Sequence, residues 1–209
     1  TRVLAGTATS VVTGDLFDIQ NEVKDGATGL SVNGIATSVK SGEKIAVTAE
    51  KVTKQVTQAV TNNTHFFVLG DLIQTITESV GFINTPSLNV ADTARIIYGN
   101  YPDITIEATS HSQGGSVTKG GLALLNDNIK SKISSQTFGA QVAITDSGLK
   151  NTYNERGIKD PIPFIDPRNW LNNLNGNITT YSDGKDGHNF EKHYGEDAIE
   201  RSEQAEIKK

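Results

Sequence analysis

One pentapeptide in this chain has the residue types and spacing for nucleophilic chemistry: Ser110-His111-Ser112-Gln113-Gly114. Its form is small-x-Ser-x-Gly. A serine that attacks a carbonyl must be pushed out of the backbone toward a base. A tight strand–turn–helix does this, at the cost of local strain. The turn brings neighbouring backbone close, so the residues two before and two after the nucleophile must be small, as Ser110 and Gly114 are. A helix that starts there also aims its unpaired N–H groups at the site, which suits a developing oxyanion. The plain alternative is that Ser112 is an N-cap, with its hydroxyl on the N–H of Gly115 or Ser116.

A serine hydroxyl needs a base, usually a histidine held by a carboxylate. The chain has four histidines: His65, His111, His188 and His193. His111 adjoins the nucleophile, so its side chain leaves the turn in a different direction; it reads as packing beside the turn. His188 sits in Asp186-Gly187-His188-Asn189-Phe190, a loop near the C-terminal end, with apolar Phe190 and Tyr194 following. A doubly wound hydrolase delivers its base on such a loop, before its last helix, and His193 then falls on the surface of that helix. The order Ser…Asp…His confines the acid to the stretch between 112 and 188. Asp160 and Asp166, each before a proline, are candidates, as are Asp127, Asp146, Asp183 and Asp186. The cluster Asp183, Asp186 and His188 lacks the spacing of a calcium loop, so it reads as a solvated loop and no metal is expected.

These residues must be carried by a regular frame. Leu30-Ser31-Val32 reads as a short strand ending at Asn33-Gly34. Ile45, Ala49, Val52 and Val56 share one helical face. A strand from Val56 to Thr61 and the loop Asn62–His65 come next. A second helix carries Leu69, Leu72, Ile73, Ile76 and Val80 and is closed by Gly81. A shorter helix runs from Val90 to Tyr98. Ile104 to Ala108 is a strand entering the serine turn, a helix through Val117, Leu124 and Leu125 leaves it, and a strand spans Ile133 to Phe138. Strands alternating with helices predict βαβ units and a parallel sheet with helices on both faces. Residues 1–29 read as a lead-in segment or small hairpin before a single domain over 30–209. Regularity fades after Ala140, and the charged tail from Glu196 reads as a surface helix or a frayed end.

Composition narrows the function classes. The 209 residues include 35% hydrophobic and 21% charged side chains, enough for one sizeable core. A net charge of −5 argues against a phosphate-backbone partner, so no nucleic acid is expected. No apolar run approaches the roughly 20 residues that span a bilayer. Cysteine is absent, which removes disulfides, thiolate catalysis and thiolate metal sites. The chain opens on Thr1 without methionine, from which a piece of a longer polypeptide is expected.

Further short segments join the serine turn: Val32-Asn33-Gly34-Ile35, Asn62-Asn63-Thr64-His65 with Gly70-Asp71-Leu72, Ala108-Thr109 before the pentapeptide, Phe138-Gly139, Asp160-Pro161-Ile162-Pro163 and His188-Asn189-Phe190-Glu191. Over roughly residues 30 to 195 this set resembles lipase-like α/β-hydrolases, in particular the small hydrolase domains at the C-terminal ends of large bacterial secreted or surface proteins and toxins. The resemblance implies a three-layer α/β-hydrolase-like sandwich with a mostly parallel central sheet. It implies a serine esterase, lipase or phospholipase with Ser112 as nucleophile, His188 as base and Asp160 as acid, Asp166 being the fallback. The oxyanion donors would be the backbone N–H of Gln113 and one from the loop holding Gly34 and Ile35, with His65 lining the pocket. Ser110 departs from the family's usual glycine, and no lid insertion is evident. No cofactor is implied. The partners implied are an ester or lipid substrate, transient contact with a membrane surface, and an inhibitory (immunity) protein. The location implied is secreted or cell-surface-delivered within a larger bacterial protein. The competing reading is a hydrolase-like binding or adhesin module without catalysis.

Overall fold

The computed structural model describes residues 2–4, 26–32, 39–53, 57–60, 83, 85–181, 188–195 and 198–199. Its strands are β1 (Arg2–Leu4), β2 (Ala27–Val32), β3 (Thr57–Val60), β4 (Thr105–His111), β5 (Ile133–Phe138), β6 (Asn151–Gly157) and β7 (Thr179–Tyr181). Its helices are α1 (Val39–Thr53), α2 (Thr85–Asn100), α3 (Gly114–Leu122), α4 (Asp127–Lys130) and α5 (Arg168–Leu174). A 3₁₀ turn covers Ile162–Phe164 and a π-helical turn covers Phe190–Gly195.

The strands form one sheet in the order β1-β3-β2-β4-β5-β6-β7, and every pairing is parallel. After β2 the chain steps to β3 on one side; after β4 it steps to β5 on the other. β2 and β4 are neighbours, with Val32 opposite Ser110. Their C-terminal ends therefore flank the point where the winding reverses, which is where open α/β sheets bind ligands.

Two apolar clusters lie on opposite faces of the sheet. The larger joins Leu30, Val32, Ile106, Ala108 and Ile133 to Val90, Ala94 and Ile97 of α2 and to Val117 and Leu122 of α3. The smaller joins Phe138 to Val52 of α1 and to Phe190, Tyr194 and Ala198. Ile133 and Phe138, at the two ends of β5, point to opposite faces because side chains alternate along a strand. The result is three layers, helices over and under a parallel sheet.

Several expectations need correction. Arg2–Leu4, inside the segment expected to be a lead-in or hairpin, is an edge strand pairing in parallel with β3. β2 begins at Ala27, so a boundary at residue 30 cuts a strand. α2 starts at Thr85 rather than Val90, with Pro86 in its first turn, where a missing N–H costs nothing. α3 stops at Leu122, before Leu124 and Leu125, and Asn126 caps α4 by accepting from Ile129 N at 3.0 Å. Order does not fade after Ala140: β6, α5 and β7 lie beyond it. Ala198, in the tail expected at the surface or frayed, is buried in the smaller cluster. The helix expected over 69–81 and the loop Asn62–His65 lie outside the described residues, as does the whole of segment 5–25. Among the described residues no helix is long and apolar enough to cross a membrane.

Candidate active site

Ser112 occupies the turn between β4 and α3 with φ of 60°, the only non-glycine residue with positive φ among those described. Such a backbone costs an L-residue about 1–3 kcal/mol and persists only when its surroundings impose it. Here they do. The Ser112 carbonyl accepts from Gly115 N at 3.2 Å and from Gln141 N at 3.0 Å. Gly115 packs so closely on the segment after β5 that a Cβ there would fall 2.7 Å from Ala140 Cβ. Ser110 is fully buried and its hydroxyl meets Thr118 Oγ1 at 2.7 Å, which explains how serine serves where glycine is usual. From Ala108 to Thr118, Ser112 is the one residue that is not buried. The N-cap alternative fails: Gln113 holds the cap position, α3 has no side-chain cap, and Gly115 N–H is taken by a carbonyl.

Asp160 and His188 meet although 28 residues separate them. His188 Nδ1 donates to Asp160 Oδ2 at 2.8 Å. Since a carboxylate only accepts here, the proton of the neutral ring sits on Nδ1 and Nε2 carries the lone pair. Nε2 is buried and has no hydrogen-bond partner. A buried polar atom in that state marks a place where a partner, such as a hydroxyl, belongs. The other oxygen of Asp160 accepts from Ile162 N at 2.9 Å, across Pro161. Tyr194 supplies a third donor: its hydroxyl donates to Asp160 Oδ2 and accepts from Gly157 N at 2.9 Å. Gly139, with φ of +54°, leaves room for this meeting; a Cβ there would lie 2.5 Å from Asp160 Oδ2.

His111 links the serine turn to His188. Its ring stacks on that of His188, centroids 4.4 Å apart, and its Nε2–H donates to the His188 carbonyl at 2.9 Å. Phe190 and Tyr194 pack against the His111 ring, and Phe138 packs against both of them, meeting Phe190 edge to face at 5.5 Å. Burial, reinforced by repulsion from His188, pushes the His111 pKa down to about 3, so its ring is neutral at physiological pH. Burial and the hydrogen bond to Asp160 raise the Tyr194 phenol above its ordinary range.

The remaining acids have other partners. Asp166 is buried and receives Arg168 through its backbone N–H and its guanidinium. Asp146 pairs with Lys130 at 2.9 Å, and Asp127 opens α4. Asp183, Asp186, Gly34, Ile35 and His65 lie outside the described residues. Gln113 is buried in the turn beside Ser112. Two contributors do not stand out in the sequence. Tyr194 reads there only as an apolar neighbour of the base; its position in the same short segment as His188 is the available signal. Asn169 is buried and ties the loops together, donating to Gln141 O at 2.7 Å and Pro163 O at 2.9 Å and accepting from Ala143 N at 2.9 Å. No local pattern distinguishes it from the other asparagines of α5.

The fold is that of an α/β-hydrolase-like domain. The sequence matches no family model and no curated protein. Among solved structures it is similar to an α/β serine hydrolase without a lid from Xanthomonas campestris, at 13% identity and a TM-score of 0.50, covering 85% of this chain and 79% of that one. It is also similar to an uncharacterized protein from Bacillus cereus, at 12% identity and a TM-score of 0.53, covering 87% of this chain. The matched region spans only 58% of the Bacillus chain. At these identities the likeness establishes the fold.

Proposed function

We propose that this domain is a serine hydrolase of carboxylic esters. The observations that carry the reading are a strained, solvent-reaching Ser112 and, stacked on the ring of the adjacent His111, a histidine whose Nδ1 is held by a buried carboxylate. The lidless Xanthomonas hydrolase with the same fold supports it. In the first step Ser112 Oγ attacks the ester carbonyl while His188 Nε2 takes the hydroxyl proton. The C–O bond to the leaving alcohol then breaks, and His188 returns that proton to the alcohol. Water repeats the sequence: His188 takes its proton, the hydroxide attacks the acyl carbon, and Ser112 recovers its hydrogen as the acid leaves. Asp160 holds the imidazole in the Nδ1–H tautomer throughout, and the Gln113 N–H is one oxyanion donor. Losing one such donor typically costs about 10²–10³ in rate.

A fluorophosphonate probe should label the protein at Ser112, and Ser112→Ala should abolish both labelling and hydrolysis of a short-chain nitrophenyl ester. Absence of labelling, with parent and variant alike in every assay, would sink the enzyme reading in favour of a binding module. Lipid esters are the substrate class that the sequence resemblance favours. The same resemblance is the support for a toxic effector domain of a larger secreted bacterial protein, held in check by an inhibitory partner. Recovery of a tight-binding protein from the native host tests that last point.

A further inference from the structure

Six of the nine large hydrophobic side chains that are exposed among the described residues lie in the segment 156–174, which contains Asp160. Ile158, Phe164, Ile165, Trp170, Leu171 and Leu174 are all solvent-exposed, Leu174 at 79% and Trp170 at 60%. They are not scattered. The Phe164 and Trp170 rings meet edge to face at 6.1 Å, and the Arg156 guanidinium lies 4.5 Å from the Phe164 ring centre. Trp170, Leu171 and Leu174 fall on one face of α5. Contiguous apolar exposure of this kind marks an interaction surface.

Charge indicates what it meets. Between Asn151 and Tyr181 the acids are Glu155, Asp160 and Asp166, and all three are buried. The bases of the same stretch all reach solvent: Arg156 and Lys159, together with Arg168, whose guanidinium is shared with buried Asp166. A chain of net charge −5 therefore presents cations here, beside aromatic and aliphatic side chains. That pairing fits an anionic lipid interface, where apolar groups enter the acyl boundary while Arg and Lys meet the headgroups. The surface is also fastened to the site: Asn169 of α5 ties it to the Gln141–Ala143 loop, whose Gln141 N–H holds the Ser112 carbonyl.

We propose that Ile158–Leu174 is a docking surface for anionic membranes, so that the ester reaching Ser112 is one presented by a lipid bilayer. This rests on the hydrolase reading for the substrate and on the surface alone for the docking. Trp170 is the only tryptophan in the chain, so its fluorescence reports directly on the patch. With vesicles of phosphatidylcholine plus phosphatidylglycerol, its emission should shift to the blue and be quenched by brominated acyl chains. High salt or omission of phosphatidylglycerol should weaken both effects. The double variant Leu171→Asp, Leu174→Asp should lose on the order of tenfold or more in vesicle partitioning. It should keep fluorophosphonate labelling and hydrolysis of a water-soluble ester. Wild-type protein that ignores anionic vesicles overturns the docking proposal. So does a variant that instead abolishes self-association or capture of a protein partner. Vesicle binding without labelling of Ser112 would leave the docking standing and remove the hydrolase reading.

Discussion

Acid should unfold this protein through His111, and the effect can be sized. In the unfolded chain a histidine takes up its proton near pH 6.5; in the folded protein burial holds this one to about 3. Two influences oppose that shift, the Asp160 charge and the hydrogen bond to the His188 carbonyl, but desolvation of the enclosed ring is the largest cause and prevails. Because the folded pKa is depressed, the neutral ring's stability is fully present above pH 6.5. It is lost as pH falls from 6.5 toward 3, where the unfolded state binds the extra proton. The gap of about 3.5 pH units, at about 1.4 kcal/mol each, is on the order of 5 kcal/mol at its limit. By pH 5 the loss is about 2 kcal/mol, a sizeable part of a typical total of about 5–15. His111→Gln keeps a donor at the Nε2 position and removes the titration. Urea unfolding followed by circular dichroism at pH 7 and pH 5, on both proteins, measures the difference between their acid losses, in which the carboxylates common to both cancel. Wild type should lose about 2 kcal/mol more than the variant. Equal losses would refute the claim that this ring is buried and uncharged.

Tyr194→Phe should cost about 1–3 kcal/mol in urea unfolding, because it strands the buried Gly157 N–H and takes a donor from Asp160. Since the folded phenol keeps its proton beyond its ordinary range, wild-type stability should also fall as pH rises above about 10, and this alkaline loss should vanish in the variant. Gly139→Ala should cost about 1–3 kcal/mol and depress ester hydrolysis further, because its Cβ would sit against Asp160 Oδ2 at a backbone suited to glycine. Asp160→Asn should lower kcat by about 10⁴ with the fold retained, as loss of the imidazole's orienting acid does. Asp166→Asn should leave kcat within a few-fold but lower the thermal midpoint, since its partner is Arg168; the reverse pattern would reassign the acid.

Whatever depends on neighbours along the chain is legible in the sequence. The serine turn shows because a strained elbow demands small flanking residues within two positions of Ser112. The strand entering the serine turn, with Ile104, Ile106 and Ala108 at every second position, and the buried face of α1 show because apolar spacing mirrors backbone geometry. Strand β6, Asn151–Gly157, carries no such mark. Its central Asn154 is buried, yet it is satisfied by Thr137, by both backbone groups of Ile144 and by Asn177 O, so a polar sequence hides an interior strand. The two Asp-Pro turns differ in the residue after the proline, Ile162 in one and Arg168 in the other. That arginine, two positions beyond the acid, is the signal that Asp166 already has a counter-ion. Which acid meets the imidazole is settled by the sheet: β4, β5 and β6 lie side by side and end together, bringing Ser112, Gly139 and Asp160 to one edge. The segment carrying His188 and Tyr194 then closes over them through aromatic contacts with Phe138 and His111. Sequence determines a local conformation through bonds to adjacent residues. The meeting of side chains 28 or more positions apart depends on strand order and packing, and only the tertiary structure decides it.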